Sequence, residues 1–346
     1  MDANNDDYQP ATELLGLATG WAREFSTRVV TADTASKTDA SPVTAADLAI
    51  QALVVVGLRE RYGDVNVVGE ESTAIFRTRE DTGQGNALRE TVHALVRSVR
   101  PTITATAIDD AIDSGSGDGL ASSQWIIDPI DGTRGYLKGQ QYCVCLAKVV
   151  NGIVRFGGAG CPRLGERGLL VAATRGAGAW AWDNIDESSI AHSAPRQLQA
   201  RCERRELIVA SESPEATDRA RRRLRKLAEG LAPAFEARPM ESQCKFVLVA
   251  TGDVDLAVRF PSRDSGRNRD MVWDYAGAVV MAEEAGAAMT DCRGVPLRFG
   301  RGRSIEENHG ILCAAMPVHE AAVQQFRSLE IEPDSEPSSA KVRRDG

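Results

Sequence analysis

Acidic side chains recur where predicted strands and helices begin or end. In the stretch "WIIDPIDGT", Asp128 and Asp131 close an apolar run with the composition of a buried strand. Two carboxylates this close repel each other unless a positive charge lies between them. Carboxylates are also the ligands by which proteins hold Mg²⁺, together with water and phosphate oxygens. The pattern therefore predicts a divalent-cation site, to which Asp47, Glu70 and Asp274 at other element boundaries contribute.

The residues around the two aspartates suit the hydrolysis of a phosphate ester. Pro129 stiffens the turn so that both carboxylates can face one point, and the Ile130 carbonyl is free to act as a third oxygen donor. Two metal ions sharing such ligands stabilise both the attacking water and the leaving oxygen. Gly132 and Thr133 open a predicted helix, whose N–H groups favour a bound phosphate. The Thr133 hydroxyl would orient the water, with Asp47 accepting its proton.

Asp128, at the end of a strand as apolar as "WII", would need a partner, but the acidic residues outside this motif also have an interpretation without catalysis. Asp47 follows Thr44 by three residues, which is the spacing of a capping box at a helix N-terminus. Glu70 and Glu71 would form an exposed turn, and the helix dipole would favour Asp274 near the start of a helix. The residue types alone leave these alternatives open.

The elements that must position these residues follow from periodicity and turn signals. A first helix is predicted with Thr12 as its N-cap, and a second with Thr44 as its N-cap and Gly63 as its terminator. A third helix is predicted over "ALRETVHALVRSVR", whereas "DDAIDSGSGDG" is predicted to be a loop. Predicted strands are "VNVVG" and "QWIIDPIDG", followed by hairpins at Asn151-Gly152 and in "GLLVAATRGAGAWAW". From about residue 206 the order changes to strand "ELIVAS", helices "EATDRARRRLRKLAEG" and "ESQCKFVLVATG", strand "VDLAVRFP", helix "WDYAGAVVMAEEAG" and strand "HGILCAAM". This order is typical of an α/β unit.

Length and composition favour two compact units of a soluble protein. We predict units over 1–195 and 196–330, with a disordered tail over 331–346, from a chain of 346 residues with 42% hydrophobic and 26% charged residues. The sequence shows no secretory signal or membrane span, so a cytoplasmic location is expected. The net charge of -8 argues against nucleic-acid binding, and the arginines of "RARRRLRK" are predicted to form a solvated helix face.

Cysteine usage indicates neither a disulfide framework nor a zinc site. The seven cysteines are odd in number, scattered, and without C-x-x-C spacing. We predict that they are small buried apolar side chains.

Three motifs, "GEES", "WIIDPIDGT" and "VWDYAGAVVMAEEAG", occur in the order found in the inositol monophosphatase superfamily of lithium-sensitive, magnesium-dependent phosphatases, which the chain resembles over nearly its whole length. The resemblance implies an α/β (α+β) fold, a layered αβαβα sandwich. Its N-terminal half would have an antiparallel sheet with paired helices, and its C-terminal half would be α/β. The metals would lie between the halves. By resemblance, two or three Mg²⁺ ions are held by Glu70, Asp128, the Ile130 carbonyl, Asp131 and Asp274, and water is activated by Asp47 and Thr133.

Longer stretches look like one branch, the 3'(2'),5'-bisphosphate nucleotidases of sulfur assimilation. These are "KTDASPVTAAD", "DGTRGYLKGQQYCVCLAKVVNG" and "MESQCKFVLVATGDVDLAVRFP". The resemblance implies removal of the 3'-phosphate from adenosine 3',5'-bisphosphate, which leaves AMP. It also implies removal of the 3'-phosphate from the sulfated precursor, 3'-phosphoadenylyl sulfate. Substrate contacts would come from Gly132, Thr133, Ser242, Lys245 and Arg259. Without such a role, Ser242 would be a helix N-cap, Lys245 part of a solvated face, and Arg259 an exposed strand end.

Three departures from that branch concern recognition of the base. After the strand "ELIVAS" the chain has "SESPEA" where the nucleotidases often carry Ser-Ser-His, and Tyr275 follows Asp274 where a histidine is common. The basic loop "PSRDSGRNRD" lacks the usual lysine before the last motif. Arg263, Arg267 or Arg269 would substitute in phosphate binding, or the loop is merely solvated.

The alternatives to a nucleotidase are an inositol-phosphate (mono- or polyphosphate 1-) phosphatase of the same superfamily and a catalytically inactive binding protein. A monomer and a homodimer are both compatible with the sequence.

Overall fold

Helices and sheets alternate through the molecule in layers. The computed structural model describes residues 7–28, 34–36, 42–77, 84–185, 190, 194–200, 206–211, 218–240, 242–261 and 270–331. Its helices are α1 (Gln9–Arg28), α2 (Ala45–Tyr62), α3 (Ala74–Arg77), α4 (Gln84–Val99), α5 (Ala105–Asp113), α6 (Thr133–Leu137), α7 (Asp218–Glu229), α8 (Cys244–Thr251), α9 (Ala276–Glu284) and α10 (Met316–Ile331). A 3₁₀ turn over Val272–Asp274 precedes α9.

The described strands form two large sheets and a short pair. They are β1 (Thr34–Ser36), β2 (Pro42–Thr44), β3 (Val67–Gly69), β4 (Ser123–Asp131), β5 (Cys143–Val150), β6 (Ile153–Cys161), β7 (Leu169–Thr174), β8 (Gly178–Trp182), β9 (Arg196–Gln197), β10 (Leu207–Ser211), β11 (Phe235–Pro239), β12 (Leu256–Arg259), β13 (Ala287–Thr290) and β14 (Ile311–Ala315). The larger sheet has the order β3-β4-β5-β6-β7-β8-β9, and the smaller has the order β11-β10-β12-β14-β13.

Strand direction distinguishes the two sheets. In the larger sheet only β3 and β4 are parallel, and every other neighbouring pair is antiparallel. In the smaller sheet β10 is parallel to β11 and β12, whereas β14 is antiparallel to β12 and β13. The predicted combination of an antiparallel sheet with an α/β unit is confirmed, except that β3 runs parallel to β4.

The hydrophobic core shows the order of the layers. One buried cluster joins α1 and α2 to the larger sheet and contains Trp125 and Phe156. A second cluster places α8 and α9 between the two sheets, and a third packs α7 and α10 on the outside of the smaller sheet. Helix α9 approaches β6 so closely that a Cβ on Gly157 would lie 2.5 Å from the Gly277 carbonyl oxygen. The layers therefore alternate as helix, sheet, helix, sheet, helix, and the predicted αβαβα sandwich is confirmed.

Several local predictions hold. Thr44 caps α2, and Gly63, with φ of 73°, ends it. Asn151 and Gly152 have φ of 51° and 77° and turn β5 into β6, as the hairpin signal predicts. No described helix has both the length and the apolarity that crossing a membrane requires.

Other predictions were wrong at the ends of elements. Helix α1 begins at Gln9, whose N–H donates to Asp7, and Thr12 lies inside the helix with its hydroxyl donating to the Tyr8 carbonyl. The predicted loop "DDAIDSGSGDG" begins within α5, because the Thr104 side chain caps a helix whose buried residues recur at helical spacing. Strands β11 and β13 and helix α10 were not predicted.

The predicted tail and domain boundary meet the structure only in part. Ile331 belongs to α10 and not to a disordered tail, and 332–346 lie outside the described residues. The division near residue 195 stays a prediction. The larger sheet extends to β9, just past that boundary.

Candidate metal centre

A bulge in β4 brings Asp128 and Asp131 to the same side of the larger sheet. Asp128 lies opposite Cys145 and Asp131 lies opposite Cys143, so three steps along β4 match two along β5. In a regular strand, residues three apart face opposite sides of the sheet. The extra residue of the Pro129-Ile130 segment removes that alternation. The predicted role of this segment in aiming both carboxylates at one point therefore has a structural basis.

Asp274 completes a cluster of three carboxylates. Carboxylate oxygens of Asp128, Asp131 and Asp274 all lie within 4.8 Å of one another. Asp274 comes from the 3₁₀ turn before α9, where it accepts a hydrogen bond from Met271 N at 3.0 Å. Asp131 accepts hydrogen bonds from the N–H of Gln243 and, at 3.4 Å, from the Cys143 thiol. Two strand residues and one helical-turn residue thus supply one concentrated negative charge.

Burial and mutual repulsion oppose ionisation of this cluster. The pKa of Asp128 is raised well above its usual value, first by burial and then by the charges of Glu70, Asp131 and Asp274. Burial raises the pKa of Asp131 to about 6, against the lowering effect of Lys245 and of the Gln243 N–H. Burial raises the pKa of Asp274 to about 7, against the lowering effect of Arg259. A cation between the carboxylates would remove most of this repulsion.

The donor set fits a hard divalent cation such as Mg²⁺. Asp128 is only 2% exposed, and its Oδ1 has no hydrogen-bond partner among the residues that the structure describes. A buried carboxylate oxygen without a donor is costly unless a cation compensates it. Oxygen-only ligands grouped in this way are those that Mg²⁺ takes.

Glu70 lies beside this cluster but does not belong to the tight group of three. It follows β3, whose last residue Gly69 pairs with Ile127 of β4, and its charge raises the pKa of Asp128 and Asp274. The turn is fixed by Gln51, which hydrogen-bonds both backbone groups of Glu71. The alternative of an exposed turn is wrong for Glu71, which is buried, and a ligand role for Glu70 stays a prediction.

Asp47 is placed for both of the roles that the sequence left open. Its Oδ2 accepts hydrogen bonds from the backbone N–H and the hydroxyl of Thr44, which completes the capping box of α2. Its Oδ1 lies 3.4 Å from the Thr133 hydroxyl, which is also 3.2 Å from the Ile130 carbonyl oxygen. The side chain of Asp47 is fully buried. Asp47 Oδ2 therefore takes part in capping α2, and Asp47 Oδ1 faces the Thr133 hydroxyl.

Gly132 is required by the turn between β4 and α6. Its φ of 86° is in the left-handed region, and a Cβ at this position would lie 2.9 Å from Ser242 Cβ. Helix α6, which follows, has only five residues. The predicted phosphate site at its start stays a prediction.

The three predicted substrate cradle residues have different surroundings. The Ser242 hydroxyl accepts from Cys244 N at 3.1 Å, but the N-cap of α8 is Gln243, so the N-cap alternative is wrong by one position. Lys245 is only 4% exposed, with its Nζ 3.3 Å from the Ser242 carbonyl oxygen and 4.9 Å from the centre of the Phe246 ring, so the solvated-face alternative is wrong. Arg259 pairs with Asp270 at 3.0 Å. The charges of Lys245 and Arg259 lower the pKa of Asp131 and Asp274 respectively, so both act on the carboxylate cluster.

The structure describes only part of the three segments in which the chain departs from the nucleotidase branch. Tyr275 is buried and its hydroxyl donates to Asp270 at 2.9 Å, which joins it to the Asp270–Arg259 pair. Arg263, Arg267 and Arg269 lie outside the described residues, as does most of "SESPEA".

Two positioning residues were not found from the sequence. The Gln243 N–H contacts Asp131 through the backbone, which no side-chain pattern reveals. Arg303 donates to the carbonyls of Gly69, Gly115 and Gly117 and stacks over Trp273 at 4.7 Å. Its place in an irregular segment far along the chain gave no signal. It ties the Glu70 turn to the segment that carries Asp274.

The raised pKa values predict a pH-dependent stability for the metal-free protein. Unfolded aspartates ionise near pKa 3.9, whereas Asp131 and Asp274 ionise in the folded chain at about 6 and about 7. The folded chain then binds more protons than the unfolded chain between about pH 4 and about pH 7. We expect the free energy of unfolding to fall by a few kcal/mol as the pH rises through this window, and to level off above it.

Urea unfolding of chelator-treated protein at about pH 5 and about pH 8, with and without Mg²⁺, measures this effect. Mg²⁺ should stabilise the protein more at the higher pH, and Asp274→Asn should flatten the pH dependence. A free energy of unfolding that rises over the same window without Mg²⁺ would contradict the electrostatic interpretation.

Known proteins resemble this chain in sequence and in fold. A sequence model described as "Inositol monophosphatase family" matches residues 9–329. The chain is 30% identical over 306 residues to a 3'(2'),5'-bisphosphate nucleotidase of Schizosaccharomyces pombe, covering 84% of each protein. It is 28% identical over 372 residues to 3'(2'),5'-bisphosphate nucleotidase 1 of Candida albicans, covering 95% of this chain and 98% of that protein.

The structural comparison agrees at the level of the fold. An IMPase from Thermotoga maritima superposes with a TM-score of 0.62 at 18% identity, over 92% of this chain and 96% of that chain. SuhB from Mycobacterium tuberculosis superposes with a TM-score of 0.57 at 19% identity, over 95% of this chain and 100% of that chain. Because the family match spans nearly the whole sequence, this chain belongs to the inositol monophosphatase family.

Proposed function

We propose that this protein is a magnesium-dependent phosphomonoesterase that removes the 3'-phosphate from adenosine 3',5'-bisphosphate to give AMP and phosphate. The observation that carries the chemistry is the buried group of three carboxylates, with the Asp47–Thr133 pair contributed by neighbouring segments. Family membership supports a phosphatase. The names of the relatives, several of them 3'(2'),5'-bisphosphate nucleotidases, support the choice of substrate. The sulfated precursor is the second substrate of this proposal.

In this proposal Asp128, Asp131 and Asp274 hold two or three Mg²⁺ ions, together with Glu70 and the Ile130 carbonyl. Bound Mg²⁺ supplies positive charge that polarises phosphate oxygens and lowers the pKa of water. The convergence of the three carboxylate groups within 4.8 Å of one another supports a cation shared among them.

The Asp47–Thr133 pair is suited to accept a proton from water. Asp47 Oδ2 is occupied by Thr44, so Oδ1 is the oxygen that faces the Thr133 hydroxyl. The hydroxyl can accept a hydrogen bond from water while donating its own proton to Oδ1. Thr133 then orients the attacking water, and Asp47 receives the proton that leaves it.

The substrate's second phosphate would be bound by the cradle beside the cluster. Ser242 lies against Gly132, Lys245 is next to Ser242, and Arg259 is the charged end of β12. Arginine and lysine form charge-assisted hydrogen bonds with phosphate. A substrate with two phosphates can use both the carboxylate cluster and this cradle, whereas a monophosphate uses only the former.

Substrate preference tests this proposal. Phosphate release should be compared for adenosine 3',5'-bisphosphate, inositol 1-phosphate and fructose 1,6-bisphosphate, each with Mg²⁺ and with or without Li⁺. We expect the bisphosphorylated nucleotide to have the highest kcat/KM, and Li⁺ to inhibit the reaction. Equal or faster turnover of inositol 1-phosphate would replace the nucleotidase by an inositol-phosphate phosphatase. No release from any of the three would overturn the enzymatic proposal itself.

The contribution of Arg259 can be separated with a substrate that lacks the 5'-phosphate. Arg259→Gln should raise the KM for adenosine 3',5'-bisphosphate by about tenfold more than the KM for adenosine 3'-phosphate, the value of a charged hydrogen bond, because the effect of Arg259 on Asp274 is common to both substrates. Arg298→Gln is the matched control, because the Arg298 side chain is exposed and its ion pair with Glu307 lies on the surface. An equal effect of Arg259→Gln on both substrates would mean that Arg259 is only structural.

A further inference from the structure

Three cysteine sulfurs meet next to the carboxylate cluster. Cys143 begins β5, Cys161 ends β6 and Cys244 begins α8, and their Sγ atoms all lie within 4.8 Å of one another. All three side chains are 0% exposed. The sequence predicted burial correctly. It could not predict the convergence, because the three residues come from separate elements.

The polar contacts of these sulfurs are weak. The Cys143 thiol donates to Asp131 Oδ2 at 3.4 Å and lies 3.6 Å from Cys145 Sγ, and the Cys244 thiol donates to the Tyr142 carbonyl at 3.4 Å. Burial raises the pKa of Cys143, Cys161 and Cys244, so the metal-free protein holds neutral thiols here. No disulfide joins the six cysteines that the structure describes.

The spacing is close to that of ligands to one thiophilic ion. Sulfurs bound to a tetrahedral Zn²⁺ at about 2.3 Å are separated by about 3.8 Å. Sulfurs that already lie within 4.8 Å of one another need to approach by about 1 Å at most. Thiolates prefer soft cations, whereas the neighbouring carboxylates prefer Mg²⁺. A group of thiols that prefers soft cations therefore lies next to a group of carboxylates that prefers Mg²⁺.

We propose that Cys143, Cys161 and Cys244 form a binding site for a thiophilic divalent cation of the Zn²⁺ and Cd²⁺ class, distinct from the magnesium site. On binding, each thiol releases its proton to the solvent and the sulfur bonds to the cation. The three sulfurs displace waters of the cation, and the fourth ligand position keeps one water or takes a neighbouring side chain. No oxidation or reduction is involved.

Binding there is coupled to the carboxylate cluster through two neighbours of the sulfurs. The proton that Cys143 shares with Asp131 is lost, and Cys244 directly follows Gln243, whose N–H also binds Asp131. Both of these contacts to Asp131 therefore change when the sulfurs close on a cation. If the proposed phosphatase activity holds, Zn²⁺ should inhibit it, and excess Mg²⁺ should not reverse the inhibition because Mg²⁺ does not bind thiolates.

Cadmium absorption tests the site independently of any enzymatic activity. The full chain, reduced and freed of metal by a chelator, is given saturating Mg²⁺ to fill the carboxylates and is titrated with Cd²⁺. We expect a saturable thiolate-to-cadmium charge-transfer band in the ultraviolet. Cys161→Ser should lose most of this band, because it removes one of the three sulfurs and leaves the Cys143 contact to Asp131 in place.

Cys313→Ser is the matched control, since Cys313 is equally buried, in β14, and outside the group of three. It should keep the band. If Cys161→Ser does not fold, as judged by circular dichroism, Cys161→Ala replaces it. No band in the folded wild-type protein, or an equal band in the Cys161 variant, would overturn the proposal. Failure of the proposed phosphatase activity would leave this readout unchanged, so the two proposals fail separately.

Discussion

Asp131→Asn should abolish phosphatase activity while leaving the metal-free protein at least as stable as the wild type. Loss of an outer-shell partner of a metal ligand costs up to about a hundredfold, so loss of a ligand should cost more. In the absence of metal, however, the Asp131 carboxylate is buried in a group of like charges, and burial raises its pKa to about 6. A neutral amide of the same shape removes that repulsion. Activity with saturating Mg²⁺ and urea unfolding of chelator-treated protein, both at about pH 8, are the two measurements.

A buried carboxylate with a structural role should behave in the opposite way. Asp291 is 1% exposed and accepts hydrogen bonds from the backbone N–H groups of Arg293, Val295 and His309. Asp291→Asn should lower the free energy of unfolding by about 1–3 kcal/mol and leave the activity unchanged. If Asp131→Asn showed this pattern, Asp131 would be structural and not a ligand.

Thr133→Ala and Asp47→Asn should each lower kcat by about a hundredfold to ten-thousandfold, the usual contribution of a positioned acid or base. Thr133→Ala loses the hydroxyl that lies 3.4 Å from Asp47, and the amide that Asp47→Asn introduces cannot accept a proton at neutral pH. Asp47→Asn should also cost about 1 kcal/mol of stability, because the capping box of α2 loses its charged member. Steady-state kinetics and urea unfolding separate the two effects.

A cap far from the carboxylates provides the comparison. Thr104 caps α5, with its hydroxyl oxygen accepting from Ala107 N at 3.2 Å. Thr104→Ala should cost about 1 kcal/mol of stability and no activity. Should Asp47→Asn and Thr104→Ala have the same kinetics, the only role of Asp47 would be to cap its helix.

Local sequence signals predicted most of the elements, because caps and turns are decided by neighbouring residues. Thr44, Gly63 and the Asn151-Gly152 turn all have the predicted conformation. The N-cap at Thr12 was wrong because α1 starts one turn earlier, at a hydrogen bond from Gln9 N to Asp7. Strand β11 was missed because its residues are at most partly buried, so it lacks an apolar run.

The sequence predicted which residues would form the candidate site, but not how their side chains are arranged in space. The sequence placed acidic residues at element boundaries, but the bulge that turns Asp128 and Asp131 to one side depends on pairing with β5. The burial of Lys245 depends on packing between layers, and Arg303 acts through carbonyl groups that are remote in sequence. Long-range packing and backbone contacts have no local signature, which is why these features required the structure.

Equilibrium binding of Mn²⁺, observed by electron paramagnetic resonance as a stand-in for Mg²⁺, tests most directly whether the buried carboxylates form a metal site. Chelator-treated wild-type protein should bind Mn²⁺, and Mg²⁺ should displace it. Asp128→Asn should weaken this binding by more than about tenfold, because it removes the carboxylate whose Oδ1 has no hydrogen-bond partner among the described residues. Asp291→Asn should bind as the wild type does. Equal Mn²⁺ affinity in the wild type and Asp128→Asn would contradict the assignment of this cluster as the metal centre.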